Sequence, residues 1–452
     1  MDIYMEEYNE TKQQPVKNPK PQKKWKKKVG YALLAVTFAG VFFFAGLFAH
    51  WLMLDPEMRT LIRVKGRIQD EYYEEVTDDK FYDTVFDAIN NNILDDYSAY
   101  LTPKEYFAES MADNGYNQGV GLYSQTRTVD GKAESFVLMA FGNSPAERAG
   151  IREGDSIIAY GDDESSLSAD ADGEKLTEFL LGKSLNEKFC FKVRKENGEI
   201  KLITLAREEF VEDFVSYRDN KTSYTYYGVG LDDATETNFP LTCLDDDTAY
   251  IRLTSFMGYA QYEFFGAMER FAEEGKKNLV LDLRLNTGGA LDILSDIASV
   301  FCKNATEKSP VVAVADYGTH KEKEYFRCSR NMYYDYFTDD SKIFVLADNM
   351  SASASECLLG VMVDYGAIDE ENICLSYREG EAKTYGKGIM QETKPVRWFL
   401  GGALRLTTAH VLWPVSERCI HGVGITPSDG AKTVEELYGD REITQAIAKL
   451  TA

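Results

Sequence analysis

Histidine is scarce in this sequence, with four residues in a chain of 452. The four are isolated from one another, at His50, His320, His410 and His421, and their spacing fits no metal-binding motif. None of them has a suitable partner for a triad of serine, histidine and aspartate. The sequence therefore predicts no metal, no cofactor and no catalysis through histidine.

Positive charge is also in short supply, because 50 basic residues stand against 74 acidic residues. A strongly acidic chain is a poor match for a phosphate backbone, so we expect no nucleic-acid partner. The acidic residues are expected to form a well-solvated surface.

Closely spaced cysteines are missing. The seven cysteines are scattered, their total is odd, and several lie in apolar runs such as Phe-Cys-Phe at residues 189–191. Most are predicted to be small buried side chains. Disulfides are compatible with the sequence, but the spacing does not require any.

Long apolar runs are rare, and the clear one covers residues 29–49, which carry no charge. As a helix of about 30 Å, this run is long enough to cross a bilayer. Eight lysines precede it, so we expect a cytoplasmic basic tail at 1–28, a transmembrane helix at 29–50 and an extracytoplasmic remainder. A cleaved signal peptide is the alternative, although the run is long and Phe-Ala-His-Trp at 48–51 offers no small-residue cleavage site.

The rest of the chain is too long for one ordinary domain, and its pattern changes twice. Residues 55–117 are predicted to be a helical region, with a turn at 94–98. Apolar side chains recur there at helical spacing, at Phe81, Val85, Phe86, Ile89 and Ile93.

Residues 118–210 are predicted to combine short strands with two short helices, one at 144–151 and one at 175–181. Residues 211–452 are predicted to form a separate core domain, in which strands alternate with helices from Tyr250 onward, and this alternation predicts an α/β layer architecture. The apolar strands there are 250–254, 279–283 and 342–347. We therefore expect a multidomain fold of α/β and α+β class.

Two segments near the end of the chain suggest chemistry. Ser-Ala-Ser-Ala-Ser-Glu at 351–356 follows a predicted strand and starts a predicted helix, so Ser353 is either a capping residue, worth about 1 kcal/mol, or a nucleophile. Lys387 lies between two glycines and is either a solvated turn residue or a base. A lysine can act as a base only when its amine is neutral. Its pKa in water is about 10.4, and burial can lower that pKa.

A third segment, Asp-Leu-Arg-Leu-Asn-Thr-Gly-Gly at 282–289, is a strand that runs into a glycine turn. Such a turn presents backbone N–H groups, as an oxyanion hole requires, although a plain strand-to-helix connection explains it equally well.

Residues 119–208 closely resemble a PDZ domain. The most specific stretch is Ser-Pro-Ala-x-x-Ala-Gly-Ile-x-x-Gly-Asp-x-Ile, which starts at Ser144. The resemblance implies that a peptide's terminal carboxylate binds the backbone of one loop and that the peptide adds as a strand beside it. The loop consists of Gly119, Val120, Gly121 and Leu122.

From about Phe81 to the end, the ordered motifs resemble the carboxyl-terminal processing peptidases, or tail-specific proteases. The resemblance implies a core of crotonase/ClpP-like type, a nucleophile at Ser353, a base at Lys387 and an orienting residue at Gln391. It implies an oxyanion hole at Gly288, Gly289 and Ala354. Ser351 and Ser355 are then supporting neighbours, and we read Asp364, three helical turns beyond Ser353, as structural.

Two features depart from the family pattern. Ser353 and Lys387 are 34 residues apart, a longer gap than usual, and the excess falls in the acidic stretch 369–383. Thr287 replaces a common proline or glycine. We keep Lys387 over Lys383 because the motif around Lys387 and Gln391 is intact.

The sequence thus predicts a membrane-anchored serine endopeptidase with a Ser-Lys dyad, whose partners are proteins with unstructured C-termini. A homo-oligomer is compatible with the sequence. The alternative is a catalytically inactive scaffold whose PDZ domain tethers partner proteins to the membrane.

Overall fold

A computed structural model describes residues 24–226, 234–302, 305, 308–328, 336–377, 380–396, 401–435 and 439–451. The chain divides into two compact units, Met1–Ala88 and Ile89–Ala452. Most of the predicted basic tail, and residues 378–379 of the acidic stretch, lie outside the described residues.

The first unit is helical. Its helices are α1 (Lys24–Met53), α2 (Pro56–Glu71) and the greater part of α3 (Asp78–Asn92). Within α1, the 26-residue span Lys28–Met53 contains an 18-residue window with a mean hydropathy of 2.3, so this helix is long and apolar enough to cross a membrane. Helices α2 and α3 are joined through Asp78, which pairs with Lys65 at 2.9 Å and accepts a hydrogen bond from Gln69 at 2.7 Å.

Two short strands interrupt the predicted helical region. The second unit continues with β1 (Ala99–Leu101), α4 (Pro103–Asp113) and β2 (Tyr116–Gly119). Strands of three or four residues carry no periodic signal of their own, and both are formed by pairing with distant segments. The predicted turn after α3 and the helical character of α4 are confirmed.

Residues 122–206 form a five-stranded antiparallel sheet with two helices, as predicted. The elements in chain order are β3 (Leu122–Val129), β4 (Lys132–Ala140), α5 (Pro145–Arg148), β5 (Ser156–Gly161), α6 (Gly173–Leu181), β6 (Lys188–Arg194) and β7 (Ile200–Ala206). The strand order is β3-β4-β5-β6-β7, which leaves β3 at an edge of this sheet. Phe189 and Phe191 lie in its apolar core.

Four short strands follow, and from residue 248 to residue 364 strands and helices alternate as predicted, apart from a hairpin at 311–327; four more strands and a helix come after these. The elements are β8 (Glu208–Val211), β9 (Val215–Arg218), β10 (Ser223–Tyr226), β11 (Ala234–Glu236), β12 (Thr248–Leu253), α7 (Ala260–Glu273), β13 (Asn278–Asp282), α8 (Leu291–Ala298), β14 (Val311–Asp316), β15 (Glu324–Arg327), β16 (Ile343–Asp348), α9 (Ala354–Asp364), β17 (Ile373–Tyr377), β18 (Ile389–Pro395), β19 (Ala403–Leu412), β20 (Lys432–Glu435) and α10 (Gly439–Thr451).

Two sheets organise this part. The larger has the order β11-β10-β9-β12-β13-β16-β17-β20, and its strands from β12 to β20 run parallel. The smaller has the order β1-β19-β14-β15, with β18 also paired to β19. Helices α7, α8 and α9 share one apolar core with the larger sheet, and α10 packs in a separate apolar cluster with β13, β16 and β17. Because parallel strands end at the same edge, the loops after β13 and β16 lie next to each other.

Five of the seven cysteines are buried, as predicted, whereas Cys243 and Cys419 are exposed.

The five-stranded sheet contacts the larger sheet through a largely buried ion-pair network. The Glu153 carboxylate, in the turn before β5, pairs with Arg252 on β12 and, at 3.1 Å, with Arg284 after β13. Burial alone would raise the pKa of Glu153, but the charges of the two arginines hold it below its ordinary value. Beside this network, Leu285 packs against Phe136 and Leu138 of β4.

We predict that Glu153→Ala destabilises the chain, because it leaves two buried guanidinium groups without this partner. The expected loss is about 3 kcal/mol in the free energy of unfolding, measured by urea denaturation. Glu199→Ala, which removes an exposed carboxylate beside β7, is the control and should change stability little. Equal stability of both variants would contradict this role for Glu153.

Candidate active site

Ser353 lies at the sharp turn between β16 and α9, with φ 55° and ψ −114°. A non-glycine residue rarely adopts this conformation, and such strain persists where the surrounding structure over-determines it. A strand, a strained turn and a helix together form an arrangement that exposes a serine hydroxyl above a sheet.

The neighbouring serines differ from Ser353 because both are fully buried and hydrogen-bonded. The Ser351 hydroxyl donates to the Leu283 carbonyl at 2.8 Å, and the Ser355 hydroxyl donates to the Asn286 carbonyl at 2.9 Å. Both bonds attach the serine segment to the loop after β13. Ser353, between them, faces a cleft.

The glycine turn after β13 lies directly against Ser353. A Cβ atom at Gly288 would stand 2.7 Å from the Ser353 Cβ and 2.9 Å from the Ala354 nitrogen, and the φ of Gly288 is 103°. Gly289 is equally confined, since a Cβ there would stand 2.3 Å from the Phe256 carbonyl oxygen. Both positions therefore require glycine.

The three predicted oxyanion donors are not equivalent. The Gly288 N–H already donates to the Asn286 side chain at 2.9 Å, so this glycine provides close approach rather than a free donor. The N–H groups of Gly289 and Ala354 have no hydrogen-bond acceptor among the described residues. These two N–H groups, one on each side of Ser353, are the available pair.

Glu356 connects the Ser353 segment to the Lys387 segment. One carboxylate oxygen accepts hydrogen bonds from the Thr384 hydroxyl at 2.6 Å and the Gly386 N–H at 2.8 Å. The other accepts from the Lys387 N–H at 2.9 Å and the Ser353 N–H at 3.1 Å. Burial raises the pKa of Glu356, while the four donors and the N-terminus of α9 favour its charged form.

Lys387 is partly buried and lines the same cleft as Ser353. Among the described residues, no carboxylate lies within ion-pair distance of its amine. Burial, and secondarily the positive charge of Arg405, lower the pKa of Lys387. A lysine in this environment is a better base at neutral pH than a solvated one.

The cleft has a volume of about 540 Å³. Its walls come from the loop before α8, the start of α9, strands β18 and β19 and the β14–β15 hairpin. The residues that line it include Gly289, Leu291, Tyr317, Phe326, Ser353, Lys387, Met390, Gln391 and Val411. The lining is mixed, because Lys321, Glu324 and Glu392 also contribute to it, and the Ser353 hydroxyl and the Lys387 amine are the candidate reactive groups.

Gln391 lies in this cleft on β18, but its contacts differ from the expected orienting role. Its side-chain nitrogen is buried and has no hydrogen-bond partner among the described residues. Gln391 thus lines the cleft while its side-chain nitrogen is enclosed and, within the described part of the chain, unpaired, with no hydrogen bond to Lys387.

Asp364 lies at the end of α9. One of its carboxylate oxygens accepts hydrogen bonds from the N–H groups of Val415 and Ser416 and from the Ser416 hydroxyl, at 2.8 to 3.1 Å. These contacts agree with the structural role expected of it.

The predicted peptide-binding loop lies apart from the cleft lining. Val120 is buried, and its carbonyl accepts from the Ala146 N–H at 3.0 Å. Gly121 has a φ of 71° and leaves no room for a Cβ, which would stand 2.2 Å from Ser144. The loop leads into edge strand β3 at Leu122, next to α6, where Leu176 and Phe179 join the same apolar cluster.

The sequence patterns did not reveal the connecting roles of Glu356, Thr384 and Asn286. Ser353 and Glu356 have the spacing of a capping box, and the Ser353 N–H donates to Glu356 at 3.1 Å as that motif requires. The bonds of Glu356 to residues 384–387 depend on a contact across about thirty residues. A buried glutamate among apolar helix positions was the one available signal.

Comparison with known proteins identifies the class of this site. Residues 247–429 match the model of "Peptidase family S41". The chain is 27% identical over 417 residues to a "Probable CtpA-like serine protease" of Staphylococcus saprophyticus, covering 89% of this chain and 72% of that protein. It is 28% identical over 362 residues to a protein of the same description in Staphylococcus aureus, covering 80% of this chain and 62% of that protein.

Among solved structures, "Photosystem II D1 C-terminal processing protease" is similar, with 18% identity and a TM-score of 0.44. The similarity covers 81% of this chain and 85% of that one.

Residues 247–429 are therefore similar to peptidase family S41, and the chain is similar to the CtpA-like serine proteases. Both similarities indicate a serine-type peptidase.

We predict that Glu356→Gln slows the reaction of Ser353 with a fluorophosphonate probe about tenfold or more. The amide nitrogen of glutamine would face hydrogen-bond donors, so two of the four bonds that join the segments would be lost. The measurement is the labelling rate, with a thermal melt to check folding. Glu371→Gln changes an exposed glutamate and should label at the parent rate. An unchanged rate in Glu356→Gln would show that Glu356 does not hold the two segments together.

Proposed function

We propose that this chain is a membrane-anchored serine endopeptidase that acts outside the cytoplasm through a Ser353–Lys387 dyad. The observation that supports the proposal is the placement of both residues in one cleft, with Glu356 bonded to the backbone N–H of each. A capping serine and a solvated lysine would not need this shared carboxylate.

In the proposed reaction, the neutral Lys387 amine accepts the proton of the Ser353 hydroxyl as its oxygen attacks the peptide carbonyl. The resulting ammonium then gives the proton to the leaving amine as the C–N bond breaks. A water molecule repeats the sequence on the acyl-enzyme and releases the acid. The lowered pKa of Lys387 favours the first step.

The negative oxygen of the tetrahedral intermediate would lie between the N–H groups of Gly289 and Ala354. Two preorganised backbone donors at this position stabilise charge that develops in the transition state. Gln391 lines the same cleft, and its unpaired side-chain nitrogen would donate to the substrate or the acyl group after a change of rotamer.

We infer that residues 118–210 form a PDZ domain that binds an unstructured C-terminus. The support is a free edge at β3, flanked by α6 and preceded by the Gly119–Leu122 loop. A peptide added to this edge would place its carboxylate at the loop and its apolar side chains against Leu122 and Phe179.

We also infer that α1 is an uncleaved anchor. Its apolar length and the lysines before it favour a helix that crosses the membrane with the N-terminus in the cytoplasm. The Ser353 cleft would then face outward.

The second candidate function is an inactive PDZ scaffold. It requires a Ser353 hydroxyl that does not react, although peptides with free C-termini still bind. The same labelling experiment separates the two functions.

We predict that the rate of fluorophosphonate labelling falls as the pH is lowered, which gives the pH profile an acid limb. The reason is that the neutral fraction of Lys387 falls tenfold for each pH unit below its pKa. The midpoint should lie below the ordinary lysine value of 10.5, since burial and Arg405 lower the pKa. Ser353→Ala should abolish labelling and cleavage of an unfolded protein. Lys387→Ala should slow both at least about a hundredfold.

Lys383→Ala is the matched control, because Lys383 is the other lysine near the motif and its amine lies 3.7 Å from a Glu381 carboxylate oxygen. It should keep the parent profile. Parent-like labelling in Lys387→Ala, or no labelling of the parent while peptides still bind, would favour the scaffold.

We predict that a membrane-impermeant maleimide labels intact cells that express the chain. Cys243 and Cys419 are exposed and lie after α1, so they would face the outside. The Cys243→Ser/Cys419→Ser double variant should lose the label. Labelling of the parent chain that requires cell lysis would contradict the proposed topology.

A further inference from the structure

The Lys387 amine faces an aromatic ring from a distant segment. Its Nζ atom is 5.4 Å from the centroid of the Tyr97 ring. Among the described residues, this is the ring that Lys387 approaches. The neighbouring Tyr385 hydroxyl, and secondarily burial, raise the pKa of Tyr97 to about 12, so the phenol is neutral.

Tyr97 is held in place by pairing with the strands of the cleft. The next residue, Ser98, accepts a hydrogen bond from the Thr407 N–H at 2.9 Å through its hydroxyl. β1 then pairs with β19, and on its other side β19 pairs with β18, where Thr407 stands opposite Gln391. The position of Tyr97 is thus coupled to the strands that carry the cleft residues.

Several charged side chains lie near Lys387. Lys321, Glu324 and Glu392 line the same cleft, and Lys321 pairs with Glu324 at 2.9 Å. Arg405 on β19 repels the ammonium form, and Glu109 on α4 pairs with Arg405 at 3.1 Å. Glu356 on α9 bonds to the Lys387 backbone rather than to its amine. Asp95 and Asp96 act on the Tyr97 hydroxyl.

We propose that Tyr97 is a positioning residue for the base, and this rests on the proposed role of Lys387. The electron-rich face of the ring stabilises the ammonium that forms when Lys387 accepts the Ser353 proton. The same ring covers the amine and limits its contact with water. Tyr97 therefore stabilises the ammonium form of Lys387 without a negative charge. A carboxylate in its place would stabilise the ammonium more strongly, but it would keep Lys387 protonated.

The test is the pH dependence of fluorophosphonate labelling in the full chain. Tyr97→Leu keeps apolar bulk but removes the ring face, so the acid limb should move to lower pH by about half a unit and the plateau rate should fall. Tyr97→Phe keeps the ring and should keep the position of the limb. Tyr106→Leu, which removes a tyrosine ring from α4, is the matched control and should also keep it.

Fluorinated phenylalanines at position 97 provide a second measurement that preserves the shape of the ring. Each added fluorine weakens the negative face, so the limb should move stepwise to lower pH. An unmoved limb in Tyr97→Leu and in this series would overturn the proposal, as would a shift in Tyr97→Phe as large as in Tyr97→Leu. If the parent chain has no acid limb, or Lys387→Ala labels as fast as the parent, the role of Lys387 fails instead.

Discussion

The active site depends on one buried carboxylate. Glu356 accepts four hydrogen bonds, and their donors belong to the start of α9 and to the segment that ends at Lys387. Neither segment positions the other through the chain, because more than thirty residues separate Ser353 from Lys387. Because Glu356 is buried, its carboxylate needs these four hydrogen bonds to replace the water that it has lost. This requirement holds the two segments in the arrangement that forms the cleft.

A second set of contacts positions the glycine turn. Asn286 receives bonds from the serine segment through its carbonyl and fixes Gly288 through its side chain. The strain at Ser353 and the absence of a side chain at Gly288 allow the two loops to approach to within van der Waals contact. These loops meet because β13 and β16 are adjacent parallel strands that end at one edge of the sheet.

The glycine turn also connects the site to the five-stranded sheet. Arg284 and Leu285 precede the turn, and they contact Glu153 and the apolar pair on β4. The five-stranded sheet is therefore packed, through β4 and the turn before β5, against the loop that carries Gly288 and Gly289. If β3 binds a peptide as proposed, the binding edge and the Ser353 cleft are connected through these side chains.

The sequence by itself determined the local features of this protein. Its apolar run predicts α1, its periodic patterns predict the strands and helices of residues 122–206 and of the core, and its ordered motifs indicate the family. Ser353, Lys387 and the two glycines could be named because their neighbours constrain them locally, through a helix start and tight turns.

Only the tertiary structure decided which groups meet. The pairing of β1 with β19, the place of Tyr97 over Lys387 and the four donors of Glu356 all join residues that are far apart in the chain. It also distinguished the engaged N–H of Gly288 from those of Gly289 and Ala354. Hydrophobic periodicity reports which face of an element is buried, whereas the partner of a buried polar group depends on the packing of whole elements.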